Sequence, residues 1–160
     1  LFCNLVDADG YYFTHFLQDK AKTAYGGAEL KYGYKDWFDA SLKGTFYSWK
    51  TDNENEELYL MTKPKFELNF YAEAKVFEGL KVYLGYEYVQ RKEYVIEEGN
   101  SSRDFGLGNI SNLSVGASYT FLKDLSVFGR VNNLLNKQYY YEYGYPAEKL
   151  NVLAGLSLVF

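Results

Sequence analysis

The sequence predicts an all-β protein, an antiparallel up-and-down meander of about eight strands that crosses a membrane as part of a β-barrel. Three observations carry the prediction. Apolar residues recur at every second position along most of the 160 residues. The connections alternate between short turns and long polar segments. The strands exceed the about 5–6 residues usual in soluble domains and reach the about 9–11 tilted residues that a membrane strand needs.

The elements follow in order. Residues 1–6 make a short opening strand, and Asp7-Ala8-Asp9-Gly10 turns the chain into a long strand over 11–35. There Ala24, Gly26, Ala28, Leu30, Tyr32 and Tyr34 share one face, against Tyr25, Glu29 and Lys31 on the other. Lys35-Asp36 is a short turn into 37–50, where Phe38, Ala40, Leu42, Gly44 and Phe46 alternate with Asp39, Ser41, Lys43 and Thr45. A long acidic segment, Thr51–Glu57, leads to 58–77, with Phe66, Leu68, Phe70, Ala72, Ala74 and Val76 opposed to Glu67, Asn69, Glu73 and Lys75. Glu78-Gly79 turns into 80–95, whose Leu80, Val82, Leu84, Tyr86 and Tyr88 oppose Lys81 and Glu87. After the long segment Glu97–Gly108 come 109–121 and, past Leu122-Lys123-Asp124, 125–142. The polar segment Tyr143–Glu148 leads to the last strand, 149–160. Alternation of this kind is a strand signal, and nothing sustains the 3.6-residue period of a helix.

A soluble barrel of lipocalin type has the same alternation with its apolar face turned inward. Strand length, the asymmetry of the loops and the apolar last strand favour the membrane. So does the other face, where Lys43, Glu67, Glu73, Lys75, Lys81, Glu87 and Arg130 are too polar to line a dry pocket. Short turns then face the periplasm and long loops the exterior. With an even strand count, the C-terminus falls on the short-turn side. Trp37 and Trp49 bracket one strand and are expected in the two interfacial girdles.

Composition narrows the function classes. Eighteen Tyr and twelve Phe give ample apolar surface, and only two prolines occur, which excludes disorder. No run approaches the roughly 20 apolar residues of a spanning helix. A net charge of −4 argues against a nucleic-acid partner, which requires clustered Lys and Arg. Single residues Cys3 and His15 have no metal-ligand spacing, so no metal or cofactor is expected. No nucleophile–base–acid constellation appears, and no enzyme is expected. Asp52–Glu57 offers oxygen ligands for Ca²⁺ but lacks the glycine of an EF-hand loop, and a solvated acidic loop is preferred. Gly106-Leu107-Gly108 lacks the strand-to-helix context of a phosphate loop.

Val131-Asn132-Asn133-Leu134-Leu135-Asn136-Lys137-Gln138-Tyr139, then Gly144-Tyr145-Pro146 and Asn151 to Phe160, together resemble the C-terminal end of TonB-dependent receptors of Gram-negative outer membranes. The tyrosine-rich, acidic character is most similar to those of the Bacteroidetes. Gly27-Ala28-Glu29-Leu30 resembles an upstream strand of the family. The resemblance implies residues 1–160 as a single C-terminal segment of a plugged barrel of about 22 strands. The plug, and with it the contact to the TonB system, is expected outside this chain. It implies active import of a scarce ligand, a siderophore, cobalamin or glycan. A stand-alone eight-stranded barrel with a structural or adhesive role is the alternative. Expected partners are outer-membrane lipid, the TonB system through the plug, the barrel assembly machinery and a surface lipoprotein.

Two groups of residues are candidate sites. Tyr139, Tyr140, Tyr141, Tyr143 and Tyr145 form the densest aromatic cluster, near the outer mouth. Tyrosine joins a flat apolar face to a polar tip, which suits a ligand or an interface belt. Tyr139, Tyr141, Tyr143 and Tyr145 are the ligand-binding candidates. Val152, Leu156, Leu158 and the terminal Phe160 resemble the signal read by the assembly machinery, and they face lipid in the same register.

Overall fold

The computed structural model describes residues 2–6, 13–17, 20–51, 60–92, 95–98, 101–104, 107–142 and 145–159. In chain order the strands are β1 (Phe2–Val6), β2 (Phe13–Leu17), β3 (Ala21–Tyr34), β4 (Phe38–Thr51), β5 (Pro64–Phe77), β6 (Leu80–Arg91), β7 (Val95–Glu98), β8 (Ser101–Asp104), β9 (Ile110–Leu122), β10 (Leu125–Asn132), β11 (Tyr140–Glu142), β12 (Tyr145–Pro146) and β13 (Asn151–Leu158). Seven of them form one antiparallel sheet in the order β13-β10-β9-β6-β5-β4-β3. Each long strand lies beside its neighbour in the chain, which is the meander the alternation predicts. Three separate two-stranded pairs, β1-β2, β7-β8 and β11-β12, complete the described strands.

The expected count of eight changes to seven. Phe2–Val6 does not open the sheet: β1 pairs with β2, Phe2 opposite Leu17 and Val6 opposite Phe13. Among the described residues, the long strand expected over 11–35 divides into β2, which pairs with β1, and β3, which belongs to the sheet. Ala21 at the start of β3 pairs with Thr51, so β3 begins at the long-loop end of the sheet. The C-terminus stays on the short-turn side with an odd number of sheet strands, because β3 enters from the other end. Part of the expected loop 97–108 is likewise strand, in the β7-β8 pair. The acidic segment 52–57 lies outside the described residues.

The register sorts the two faces as expected. Tyr34, Phe38, Ala74, Val82, Ala117, Gly129 and Ala154 form one continuous apolar row across all seven strands. Leu30, Leu42, Phe70, Tyr86 and Leu113 form another. On the opposite face Glu29, Lys43, Asn69, Glu87 and Asn112 line up side by side. No second layer covers the apolar face among the described residues; Leu156, for example, is 72% exposed. A contiguous apolar surface of this extent requires a partner or hydrocarbon. One position departs from the alternation: a register shift between Lys75 and Phe77 places Phe77, not Val76, opposite Leu80. A bulge of this kind re-aims the side chains beyond it, and Phe77 joins Tyr119 edge-on at 6.0 Å.

Aromatic groups mark both edges of the apolar face. Phe46, Phe66 and Tyr88 pack in a row near the long-loop end. Tyr34, Trp37 and Phe38 form one group at the short-turn end, and Phe77, Tyr119 and Phe121 another. From Phe66 to Phe77 the strand rises about 36 Å at about 3.3 Å per residue, or about 25 Å of thickness at a tilt of about 45°. That is the height of a lipid-facing band. Trp37 sits where expected. Trp49 does not: it shares the polar face with Tyr47, and Phe46 and Phe66 are the aromatics at the long-loop edge of the apolar face.

The short turns are locked by the strand beyond the hairpin. Lys75 N donates to Trp37 O at 2.7 Å, Thr120 N to Gly79 O at 2.9 Å, and Val159 N to Asp124 O at 2.9 Å. Each turn carbonyl is thus satisfied by the next strand in the meander.

Candidate functional site on the polar wall

The buried cluster of the described residues lies at the long-loop end of the polar face. There Val89 and Ile110 face each other across β6 and β9, and Tyr139 covers them with Ala147 alongside. Ile110 is 1% exposed and Tyr139 5%. Burying each such side chain is worth about 1.5–3 kcal/mol.

Tyr139 is brought there by the segment that carries the resemblance. A strand expected over 125–142 ends at Asn132 instead, because Asn133 and Asn136 take positive φ values of 49° and 50°. Asparagine tolerates this left-handed region better than other residues with a side chain. Asn133 is buried, and its amide donates to Lys137 O at 2.8 Å and Glu148 O at 3.1 Å. Its side-chain oxygen accepts from Lys137 N at 3.1 Å, and its backbone N donates to Asn112 Oδ1 at 3.0 Å. Asn136 Oδ1 accepts from Leu150 N at 3.2 Å. The asparagines of the motif thus fold the β10–β13 loop back onto the polar wall.

β6 holds the loop from the other side. Arg91 Nη1 donates to Tyr140 O, and Arg91 N donates to Asn109 Oδ1 at 2.9 Å. Tyr141 stands edge-on to Tyr139, ring centres 5.5 Å apart, and its hydroxyl reaches Glu87 at 3.4 Å. Burial, then the nearby Glu87 carboxylate, push the Tyr141 phenol above its usual range.

The four tyrosine candidates therefore divide. Tyr139 is a packing residue in this arrangement. Tyr141 is half-exposed, and Tyr145 is 68% exposed and open to contact. Tyr143 lies outside the described residues. Of the residues expected to form an assembly signal, Val152, Leu156 and Leu158 lie on one exposed apolar face of β13, in register with Val131, Val127 and Leu125. Phe160 lies outside the described residues.

Below the loop the polar wall is recessed. A depression of about 400 Å³ is lined by Tyr25, Glu29, Lys43, Thr45 and Tyr47. A second, of about 340 Å³, shares Glu29 and Lys43 and continues past Asn69, Glu87 and Arg130. A larger recess of about 590 Å³ involves the small side chains of the apolar rows, Ala72, Ala74, Ala117 and Gly129. In a bilayer, acyl chains fill such a recess. Among the described residues no group of three His, Cys, Asp or Glu could hold a metal ion.

Sequence patterning did not single out Asn112, Asn133 and Asn136 as a clamp, nor Tyr25, Tyr47 and Trp49 as neighbours. The second group was within reach. Once the turn at 35–37 is fixed, antiparallel counting sets Tyr25 opposite Tyr47. The clamp depends on side chains from separate strands and carries no local signal.

This architecture, a single-layer meander with one apolar and one polar face, is that of an outer-membrane barrel sector. Solved structures agree on the fold. The chain is similar to the FpvA receptor of Pseudomonas aeruginosa bound to heterologous pyoverdines, with a TM-score of 0.70 and 18% identity over 91% of this chain. It is similar to the receptor of the FpvAI–pyocin S2 complex, with a TM-score of 0.70 and 17% identity over 91% of this chain. It is also similar to the ferripyoverdine receptor of the outer membrane of Pseudomonas aeruginosa, with a TM-score of 0.69 and 18% identity over 93% of this chain. The chain spans about one fifth of the length of each, 20%. These neighbours are receptors rather than enzymes. No family model and no curated protein matches the sequence.

Proposed function

We propose that the chain is a barrel sector of a TonB-dependent receptor that imports a scarce ligand across the outer membrane. The observation that supports this most is the match of the whole meander to a receptor barrel, TM-score 0.70 over 91% of the chain. The wall chemistry fits the same reading. The apolar face suits lipid, and the polar face suits a plug and a passing ligand. Both outer edges of the described sheet, β3 and β13, have unpaired backbone groups, and in hydrocarbon each such group costs several kcal/mol. Further strands of a larger barrel would satisfy them. The TonB system would engage through a plug outside this chain. The assembly machinery would read Val152, Leu156, Leu158 and Phe160, and a surface lipoprotein would cap the loop end.

The pairing of β1 with β2, in a sheet separate from the seven-stranded one, supports this reading over the stand-alone eight-stranded barrel. Two measurements test the proposal. In a Cys3→Ser background of the full-length protein, Tyr145→Cys should react with an impermeant thiol reagent on intact cells, and Glu78→Cys should not. The reverse pattern overturns the orientation. Residues 1–160 expressed alone should give no heat-modifiable monomer in detergent; a compact monomer would favour the small barrel.

A further inference from the structure

We propose that Lys22 and Lys50 form a binding site for the phosphate group of a lipid in the outer leaflet. The site lies on the outside of the wall, beyond the aromatics at the long-loop edge of the apolar face. It goes beyond the import reading and rests only on the orientation proposed with it.

The first support is a pair of like charges set face to face. Lys22 and Lys50 are directly opposite each other across β3 and β4. Both are exposed, and that face of β3 and β4 carries no Asp or Glu. Like charges directly opposite destabilise a sheet, and an anion held between them turns the repulsion into attraction. Directly opposed Cβ atoms are about 4.5–5.5 Å apart, so both ammonium groups reach one anion. Phosphate, with up to two negative charges, matches two lysines, which bind it as point charges.

The second support is height. Lys22 and Lys50 share the parity of Gly26 and Phe46, so they stand on the lipid-facing side. The step from Phe46 to Lys50 is about 13 Å along the strand at about 3.3 Å per residue, or about 9 Å of height at a tilt of about 45°. The polar layer outside the hydrocarbon is about 5–7 Å deep on each side, and a lysine stem spans the difference. Ser48, also exposed, lies between Phe46 and Lys50 and offers a hydroxyl. Acyl chains attached to a phosphate bound here would lie on the apolar face below it, past Phe46 and Leu42. That continuity commits the site to a lipid rather than to a free anion.

The third support is that the two edges of the wall differ in charge. At the long-loop edge Lys65, the inserted residue of the bulge beside Phe66, is exposed, and so is Lys92 just past β6. The short-turn edge is mixed, with Lys35 beside Asp36, Lys123 beside Asp124, and Glu78. A basic edge is attracted to a leaflet of anionic headgroups, and a mixed one is not. The pair stays accessible in a larger barrel. A further strand beside β3 lies in the plane of the sheet, and a plug lies against the opposite, polar face.

The test uses the full-length protein purified in detergent. It is mixed with bisphosphorylated lipid A, with the dephosphorylated form, or with inorganic phosphate, and the bound probe is measured after gel filtration or equilibrium dialysis. The phosphorylated lipid should be retained in preference to the other two. Lys22→Gln with Lys50→Gln should weaken that retention by about fivefold for each lysine, about thirtyfold for both, at about 1 kcal/mol per charge near a membrane surface. Lys22→Arg with Lys50→Arg, which keeps both charges, should restore most of it. Lys35→Gln with Lys123→Gln, at the other edge, should leave it unchanged. Equal retention of the dephosphorylated lipid overturns the site, because acyl contacts alone then suffice. Inorganic phosphate bound as well as the lipid overturns the lipid source. An equal loss in the Lys35 and Lys123 variant overturns the assignment to this edge. Thiol labelling of Tyr145→Cys and Glu78→Cys separates the two proposals: a reversed pattern overturns orientation and site together, and an intact pattern without phosphate preference overturns the site alone.

Discussion

The two ends of the sheet solve the same problem by different means. At the short-turn end each connection is tight, with three residues between β3 and β4 and two between β5 and β6. Local backbone geometry makes the turn: Lys35 has φ 53° and Gly79 φ 82°. One amide from the next strand then locks it. At the long-loop end the β10–β13 connection is held by side chains from β6, β9 and the loop itself. Asn112 and Arg91 bond its backbone, and Tyr139 fills the space against Val89 and Ile110. The short-turn end is thus specified by residues close in sequence, and the loop end by residues tens of positions apart. The first arrangement fixes register; the second packs the loop onto the polar face.

The largest break in this contrast should come from Asn133→Ala. It removes two donated bonds and one accepted bond at a buried residue. A loss of about 2–4 kcal/mol is expected, since stranded buried polar groups cost about 1–3 kcal/mol each and the loop can partly rehydrate. Limited proteolysis of the full-length protein should then cut between residues 134 and 148, while heat-modifiability survives. Resistance to protease equal to wild type would show that the clamp does not hold the loop.

Gly79→Ala should come next, at about 1–3 kcal/mol. A Cβ there would collide with Thr120 O, and the positive φ disfavours a side chain in any case. Here the damage should appear as poor barrel assembly, with the loop protease-resistant in the fraction that folds. Equal assembly of mutant and wild type would deny this turn a part in register.

Lys35→Gly should change little, a gain of roughly 0.5 kcal/mol, because glycine takes the left-handed region without the penalty that lysine carries. A shift of the urea midpoint to lower values would mean that the contact of Lys35 Nζ with the Tyr34 ring, 5.4 Å to its centre, outweighs that strain.

The smallest effect expected is a pH dependence at the loop. The Tyr141 phenol is raised in the folded state, by burial first and the Glu87 carboxylate second. A raised acid stabilises the folded loop while the phenol stays protonated in both states, below its usual value of about 10. Above that the open loop loses its proton first, so docking weakens as pH rises towards the folded value. Protease sensitivity of the loop should increase slightly between about pH 9 and 11, and Tyr141→Phe should abolish the increase. An identical profile in the phenylalanine variant would assign the change to another group.

Period-two alternation by itself sorted the residues onto an apolar and a polar face, because a strand cannot hide its parity. It also placed the three short turns, where Lys35, Gly79 and Lys123-Asp124 interrupt the pattern. Only the tertiary structure decided that β1 leaves the sheet, that Phe77 replaces Val76 in the apolar row, and that 125–142 breaks at Asn133. Pairing partners decide the first, a bulge the second and hydrogen bonds from distant strands the third. The first two leave no mark within a few residues of the place they act; the third shows locally only as asparagines able to take positive φ. The same holds for Trp49, which reads as a girdle residue from its spacing. Its parity with Tyr47 and the Pro64 carbonyl that takes its indole proton put it on the polar wall.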